Sequence, residues 1–130
     1  MTDDELAYFS DVAGRYADGL HTSAVTFDRA QAAQCHENAA LFSERYPDHE
    51  VTRGWLISEI GGAPGFFRIV AHSLNRAPAG TLVDATPLSE VDRKAYKFVM
   101  HKGSDDRFTI LRTKYPELYF PPIDPLAASG

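Results

Sequence analysis

The sequence has little cysteine, no long apolar run and no excess of basic residues, and each absence excludes a class of protein. One cysteine among 130 residues cannot form an internal disulfide, which is typical of a reducing compartment. No apolar run approaches the roughly 20 residues of a membrane-spanning helix, so we expect no membrane association. The net charge of −5 gives no electrostatic basis for binding nucleic acid. The densest basic stretch, Arg93 and Lys94 with Lys97, is interpreted as a solvated face.

The composition is that of an ordinary globular protein. It is 44% hydrophobic and 24% charged, without the bias of a disordered or fibrous chain. The residues from Met1 to Glu5 are acidic where a signal peptide is basic, so we expect a cytoplasmic protein. We expect a single domain, since 130 residues is near the commonest domain size, and no cofactor.

Two helices are predicted in the first half of the chain. Thr2 followed by Glu5 is a capping box, and the apolar residues after it recur at helical spacing over 3–18. A second apolar stripe begins at Cys35 and must end before Pro47. Cys35 is therefore expected to point inward.

Strands and turns alternate in the second half. The pattern predicts an antiparallel meander of three strands at residues 51–57, 66–72 and 81–86. A fourth strand is predicted over 96–101, and Ser104 suits the cap of a short helix after it. The fold class is therefore α+β, with N-terminal helices and the Cys35 helix packed on a small antiparallel sheet. The proline-rich residues 119–130 are predicted to be an extended tail outside a globular core of 1–118.

His72 and Asp84 are predicted to face each other on neighbouring strands. If the connection between the strands is centred near Pro78, residues equidistant from it form pairs. The His72 strand should then lie between the strands of Trp55 and Asp84. A carboxylate bonded to one imidazole nitrogen fixes the tautomer and raises the basicity of the other nitrogen. Taken alone, the pair is also consistent with an ordinary cross-strand polar contact.

Cys35 lies near the start of its predicted helix. Unpaired N–H groups and the helix dipole favour a thiolate there. An earlier cap at Asp28 would instead place Cys35 nearly two turns inside the helix. The alternative role is a buried cysteine that packs as a small hydrophobic residue.

The order of these residues carries a resemblance to a known superfamily. The segments are 34–41 around Cys35, 51–55, 71–73 around His72, and 80–87 with Asp84-Ala85-Thr86-Pro87. Together they resemble the papain-like superfamily, and most of all its transglutaminase-like branch. The resemblance implies that Cys35 is a nucleophile, His72 its base and Asp84 the orienting acid. It implies a hydrolase or acyltransferase acting on an amide, isopeptide or thioester bond of a peptide or small-molecule substrate.

Further residues are candidates for the surroundings of this triad. The side-chain amide of Gln31 or Gln34 could join the Cys35 N–H as an oxyanion donor. His36 should point about 100° away from Cys35 on a helix, which suits a supporting role better than that of the base. Asn38 lies one turn from Cys35 and is placed to anchor a neighbouring loop. The candidates to line the cleft are Trp55 and His101.

Two alternatives remain open. Cys35, His72 and Asp84, with His36 or His101, offer donors that suit zinc, although no Cys-x-x-Cys or His-x-x-x-His spacing is present and we expect no metal. The second alternative is a binding module that holds a partner in the cleft or on the tail. It is favoured by a departure from the family pattern, since no tryptophan follows the histidine closely.

Overall fold

Four α-helices lie within residues 1–122, the part of the chain that this computed structural model describes. They are α1 (Asp3–Gly14), α2 (Cys35–Arg45), α3 (Glu90–Ala95) and α4 (Asp105–Lys114). The predicted capping box of Thr2 and Glu5 begins α1, which ends earlier than predicted because Tyr16–Asp18 form a separate 3-10 helix. Ser104 caps α4 as predicted. None of these helices has the length and apolar character needed to cross a membrane.

Six strands form one mixed sheet in the described part of the chain. They are β1 (Ser23–Ala24), β2 (Glu50–Glu59), β3 (Phe67–Arg76), β4 (Leu82–Asp84), β5 (Lys97–Met100) and β6 (Glu117–Phe120). Their order across the sheet is β1-β4-β3-β2-β5, and β6 also pairs with β3. The α+β class and the central position of β3 are confirmed. The prediction of a wholly antiparallel sheet is wrong, because β1 runs parallel to β4.

The turn between β2 and β3 depends on glycine. Gly62 and Gly65 have φ angles of 78° and 83°, a conformation that glycine adopts far more readily than other residues. The long β2–β3 ladder that follows pairs Glu50 with Arg76 at one end and Glu59 with Phe67 at the other. This hairpin is the frame on which the rest of the molecule packs.

Apolar side chains cover both faces of the sheet, because successive strand residues point to opposite faces. One face packs against α1 and α4 in a core that includes Phe9, Val12, Trp55, Ile57, Ile69 and Phe108. The other face carries a smaller cluster of Leu56, Leu74, Leu82 and Phe98. His72 belongs to this second face, since it lies two residues from Leu74 on β3.

α2 packs on the sheet as predicted, and it lies along β3. Its residues Ala39 and Phe42 are buried, and the Asn75 side chain of β3 donates a hydrogen bond of 3.0 Å to the Ala39 carbonyl. The helix ends at Arg45, before Pro47.

The end of the core lies further along the chain than predicted. Tyr119 and Phe120 were assigned to the tail, but they are the last residues of β6 and pair with Arg68 and Phe67. β6 is an edge strand, so it forms ladder hydrogen bonds on one side only. Two prolines can therefore follow it directly. Residues 123–130 of the predicted tail lie outside the described residues.

Candidate active site

One edge of β3 has an interval without a partner strand. β2 pairs with the whole of β3 on its other edge. On this edge β6 pairs with residues 67–70 and β4 with residues 75–76, so residues 71–74 lie between the two ladders. The interval gives a helix end access to the middle of the sheet.

The start of α2 occupies this interval. His36 shares a hydrogen bond of 2.6 Å with the Ser73 hydroxyl, and Cys35 is near enough to His72 for each to shift the pKa of the other. His72 and Ser73 point to opposite faces because they are neighbours on a strand. The first two residues of α2 therefore reach both faces of the sheet from its edge.

The loop before α2 fixes where the helix begins. The buried Asn38 side chain accepts a hydrogen bond from the Gln31 N–H at 3.0 Å and donates one to the Gln31 carbonyl at 2.7 Å. The anchoring role predicted for Asn38 is thus observed. Ala33 has a φ of 60°, a left-handed conformation that is strained for alanine. Asp28 is not the helix cap, because α2 begins at Cys35 with Gln34 at the N-cap position, and the Asp28 carboxylate instead pairs with Arg45 at 3.1 Å.

The backbone N–H groups at the start of α2 are candidate oxyanion donors. Gln34 occupies the N-cap position, and no side chain caps the helix, so its first N–H groups have no intrahelical partner. The side chains of Gln31 and Gln34 are both exposed. The backbone can therefore supply donors beside Cys35 without the side-chain amides that were predicted for this role.

His72 and Asp84 form a buried hydrogen bond. His72 Nε2 lies 2.8 Å from Asp84 Oδ2. The predicted register is wrong, because Asn75 pairs with Val83, which offsets the strands by two residues. An offset of two keeps both side chains on the same face, so a diagonal contact replaces the expected direct one.

Arg93 is a partner of this pair that the sequence did not indicate. Its Nη1 donates to Asp84 Oδ2 at 3.2 Å, and the N–H of Thr86 donates to the other oxygen at 3.1 Å. Burial raises the pKa of Asp84, but hydrogen bonding to His72 and the charge of Arg93 outweigh it, and the pKa is lowered. The interpretation of Arg93 as solvated is wrong, since only 12% of its side chain is exposed. α3 was not predicted, so the side of the chain that Arg93 faces could not be assigned.

Two imidazoles act on the Cys35 thiol. Burial raises the thiol pKa, but hydrogen bonding and charge from His36 and from His72 lower it to about 6. Burial lowers the pKa of His72, while its hydrogen bonds to Asp84 and Cys35 raise it to about 9. Between these two values the pair is a thiolate and an imidazolium, the form in which a cysteine is nucleophilic.

His36 is held from the opposite face of β3. Besides sharing the hydrogen bond with Ser73, its ring lies edge-on to Phe108, with centroids 5.9 Å apart. The Ser73 hydroxyl accepts a hydrogen bond of 2.9 Å from Arg53 Nη1. His36 therefore does not turn away from Cys35 into solvent, and its contacts agree with the predicted supporting role.

A cavity of about 380 Å³ opens beside the thiol. Cys35 and His72 line it together with Ala33, Leu56, Arg68, Val70, Ala71, Thr86, Pro87, Leu88, Asp92 and Tyr96. The Cys35 thiol and the His72 imidazole thus share one wall of a mainly apolar site.

Trp55 and His101 were predicted to line this cleft, but the structure places both elsewhere. Trp55 lies in the core on the other face of the sheet, where its Nε1 donates to the Tyr8 hydroxyl at 2.7 Å. His101 Nδ1 lies 2.6 Å from the same hydroxyl, and its Nε2 lies 2.9 Å from the Ser104 carbonyl. The two residues form a structural cluster around Tyr8, which the period-two alternation of β2 would have indicated for Trp55.

Within residues 1–122, no group of three or more His, Cys, Asp and Glu side chains is arranged to hold a metal ion. Comparison of the chain with protein-family models, with curated proteins and with solved structures found no significant match.

Proposed function

We propose that the chain is a cysteine-dependent hydrolase or acyltransferase. Cys35 is the nucleophile, His72 carries the proton and Asp84 orients His72. The observation that carries the proposal is the buried hydrogen bond between His72 and Asp84, with His72 lining the same cavity as the half-buried Cys35 thiol and lowering its pKa. The resemblance to the transglutaminase-like branch of the papain-like superfamily supports the same roles.

The reaction has two halves. In the first, the Cys35 thiolate attacks the carbonyl carbon of an amide or thioester, and the N–H groups at the start of α2 stabilise the oxyanion. The tetrahedral intermediate breaks its bond to the leaving amine or thiol, which takes its proton from the His72 imidazolium. In the second half, His72 removes a proton from water or an amine, which attacks the thioester and releases Cys35.

Asp84 and Arg93 support both halves. Asp84 accepts from His72 Nε2, which leaves Nδ1 for Cys35 and stabilises the imidazolium. Arg93 and the Thr86 N–H keep the Asp84 carboxylate ionised in its buried position.

Alkylation of Cys35 by iodoacetamide tests the proposal without a known substrate. The wild type should react rapidly at pH 7, and His72→Ala should react at least tenfold more slowly, since the thiolate loses its imidazolium partner. His49→Ala is the matched control, because His49 also pairs with an aspartate but on the surface. Equal rates for the wild type and His72→Ala would reject the triad and favour the binding module.

A further inference from the structure

The lining of the cavity changes from apolar to polar along β3. Arg68, Val70 and His72 alternate along one face of the strand, so that about 13 Å separates the ends of this series. Leu56 pairs with Val70 on the neighbouring strand, and both line the cavity. A molecule that reaches from the thiol along β3 therefore meets an apolar wall before it meets a polar end.

Among the described residues, the polar end holds no unpaired cation. Arg68 Nε donates to Glu117 at 2.6 Å, and its Nη1 donates to the Tyr96 hydroxyl. Asp92 adds a further carboxylate to the cavity lining. A negatively charged substrate group at this end would have to compete with Glu117 for Arg68 and would face Asp92.

The size of the cavity also limits what it holds. A volume of about 380 Å³ is at the small end of ligand sites, which span roughly 300–1,000 Å³. A cavity of this size suits one ligand chain of medium length. During the reaction the acyl group stays bonded to Cys35 while the leaving group departs. We therefore assign the cavity beside the thiol to the acyl group.

We infer that the site accepts a neutral, apolar acyl chain of medium length, held along β3 between Cys35 and Arg68. The inference rests on the proposed function. It identifies the class of acyl donor, an ester, thioester or amide of such an acid, and it excludes donors whose chain ends in a carboxylate.

A series of p-nitrophenyl esters with one leaving group tests the inference. The Cys35 thiolate attacks the ester carbonyl, a C–S bond forms, the C–O bond breaks, and p-nitrophenolate leaves with the electron pair. Water then cleaves the thioester and returns the thiol. Each buried methylene should contribute about fourfold to kcat/KM. The hexanoate should therefore exceed the acetate at least tenfold, and the monoester of adipic acid should be no better than the acetate.

A variant in the cavity wall locates the effect. Leu88 lies in the loop before α3 with 36% of its surface exposed, so Leu88→Asp is compatible with folding. It should lower the ratio of hexanoate to acetate rates at least fivefold. Ile110→Asp is the matched control, since Ile110 is 64% exposed on α4 and does not line the cavity.

The outcomes separate this inference from the proposed function. Acylation of Cys35, seen as a mass increase, with equal acetate and hexanoate rates would overturn the inference and leave the proposed function standing. A preference for the adipate ester would also overturn it. Absence of acylation by every ester would overturn both.

Discussion

The molecule contains two histidine–aspartate pairs with the same separation in very different surroundings. His72 Nε2 lies 2.8 Å from Asp84, and His49 Nδ1 lies 2.8 Å from Asp48. The side chains of the first pair are 5% and 0% exposed, and those of the second are 23% and 67% exposed. Distance alone therefore does not distinguish a candidate active-site pair from a surface contact.

The surroundings make the difference. Asp84 has three donors, which hold its carboxylate ionised where water cannot reach it. An interaction between charges is stronger in such a site than in water, because the effective dielectric constant is lower. His49 and Asp48 are neighbours in sequence at the far end of α2, where solvent screens them.

The largest expected effect is a difference in activity between variants of the two aspartates. Asp84→Asn should lower hydrolysis of p-nitrophenyl hexanoate by a factor on the order of 10³–10⁴, since an amide cannot stabilise the imidazolium as a carboxylate does. Asp48→Asn should change the rate less than twofold. Steady-state kinetics of the two variants check this.

Stability cannot replace that measurement. Asp84 is buried and partners Arg93, so Asp84→Asn lowers the melting temperature whether or not Asp84 orients His72. The decisive second measurement is the pH profile of Cys35 alkylation. Loss of the carboxylate should move its lower limb to higher pH, and an unmoved limb would show that Asp84 has no influence on the thiol.

The next largest effect is the difference in the Cys35 thiol pKa between the folded and the unfolded chain. The folded pKa of Cys35 is about 6, whereas an unfolded cysteine titrates near about 8.5. Alkylation should therefore have its midpoint near pH 6 in buffer and near about 8.5 in concentrated urea. Because the folded pKa is the lower one, thiolate formation stabilises the folded state at high pH, and this contribution is lost as pH falls through about 6. Coincident midpoints would contradict the thiolate–imidazolium pair.

The role of His36 should appear as a smaller effect that pH can reverse. His36 lowers the pKa of Cys35 but does not line the cavity. His36→Ala should lower ester hydrolysis about threefold at pH 6.5, as expected when the thiol pKa rises from about 6 to about 7. Raising the pH to 9 should restore the rate. His72→Ala should not recover, because it lacks the proton carrier, and equal recovery of both variants would contradict the division of roles.

Much of the fold could be predicted because local patterns agreed with tertiary packing. The Thr2 capping box, the stop before Pro47 and the β2–β3–β4 meander are all present. The faces of His72 and Asp84 were also predictable, since an error of two residues in register leaves the face unchanged.

What could not be predicted depends on long-range contacts. The position of Arg93 follows from α3, a short helix with no apolar stripe. The contact of His36 with Ser73 follows from the interval between the β4 and β6 ladders on β3, which is set by strands far apart in the sequence. Neither contact leaves a signal in the spacing of residues.

The smallest effect concerns two adjacent basic residues of α3. Arg93 binds the buried Asp84, whereas Lys94 has only Glu90, at 4.0 Å, and is 81% exposed. Arg93→Met should destabilise the fold by roughly 1–3 kcal/mol, because a buried carboxylate loses a charged donor. Lys94→Met should cost less than about 0.5 kcal/mol, since exposed ion pairs contribute little. Thermal unfolding of the two variants, with Arg93→Lys as the conservative change, checks the difference. Equal melting temperatures for Arg93→Met and Lys94→Met would show that the buried surroundings of Asp84 do not depend on Arg93.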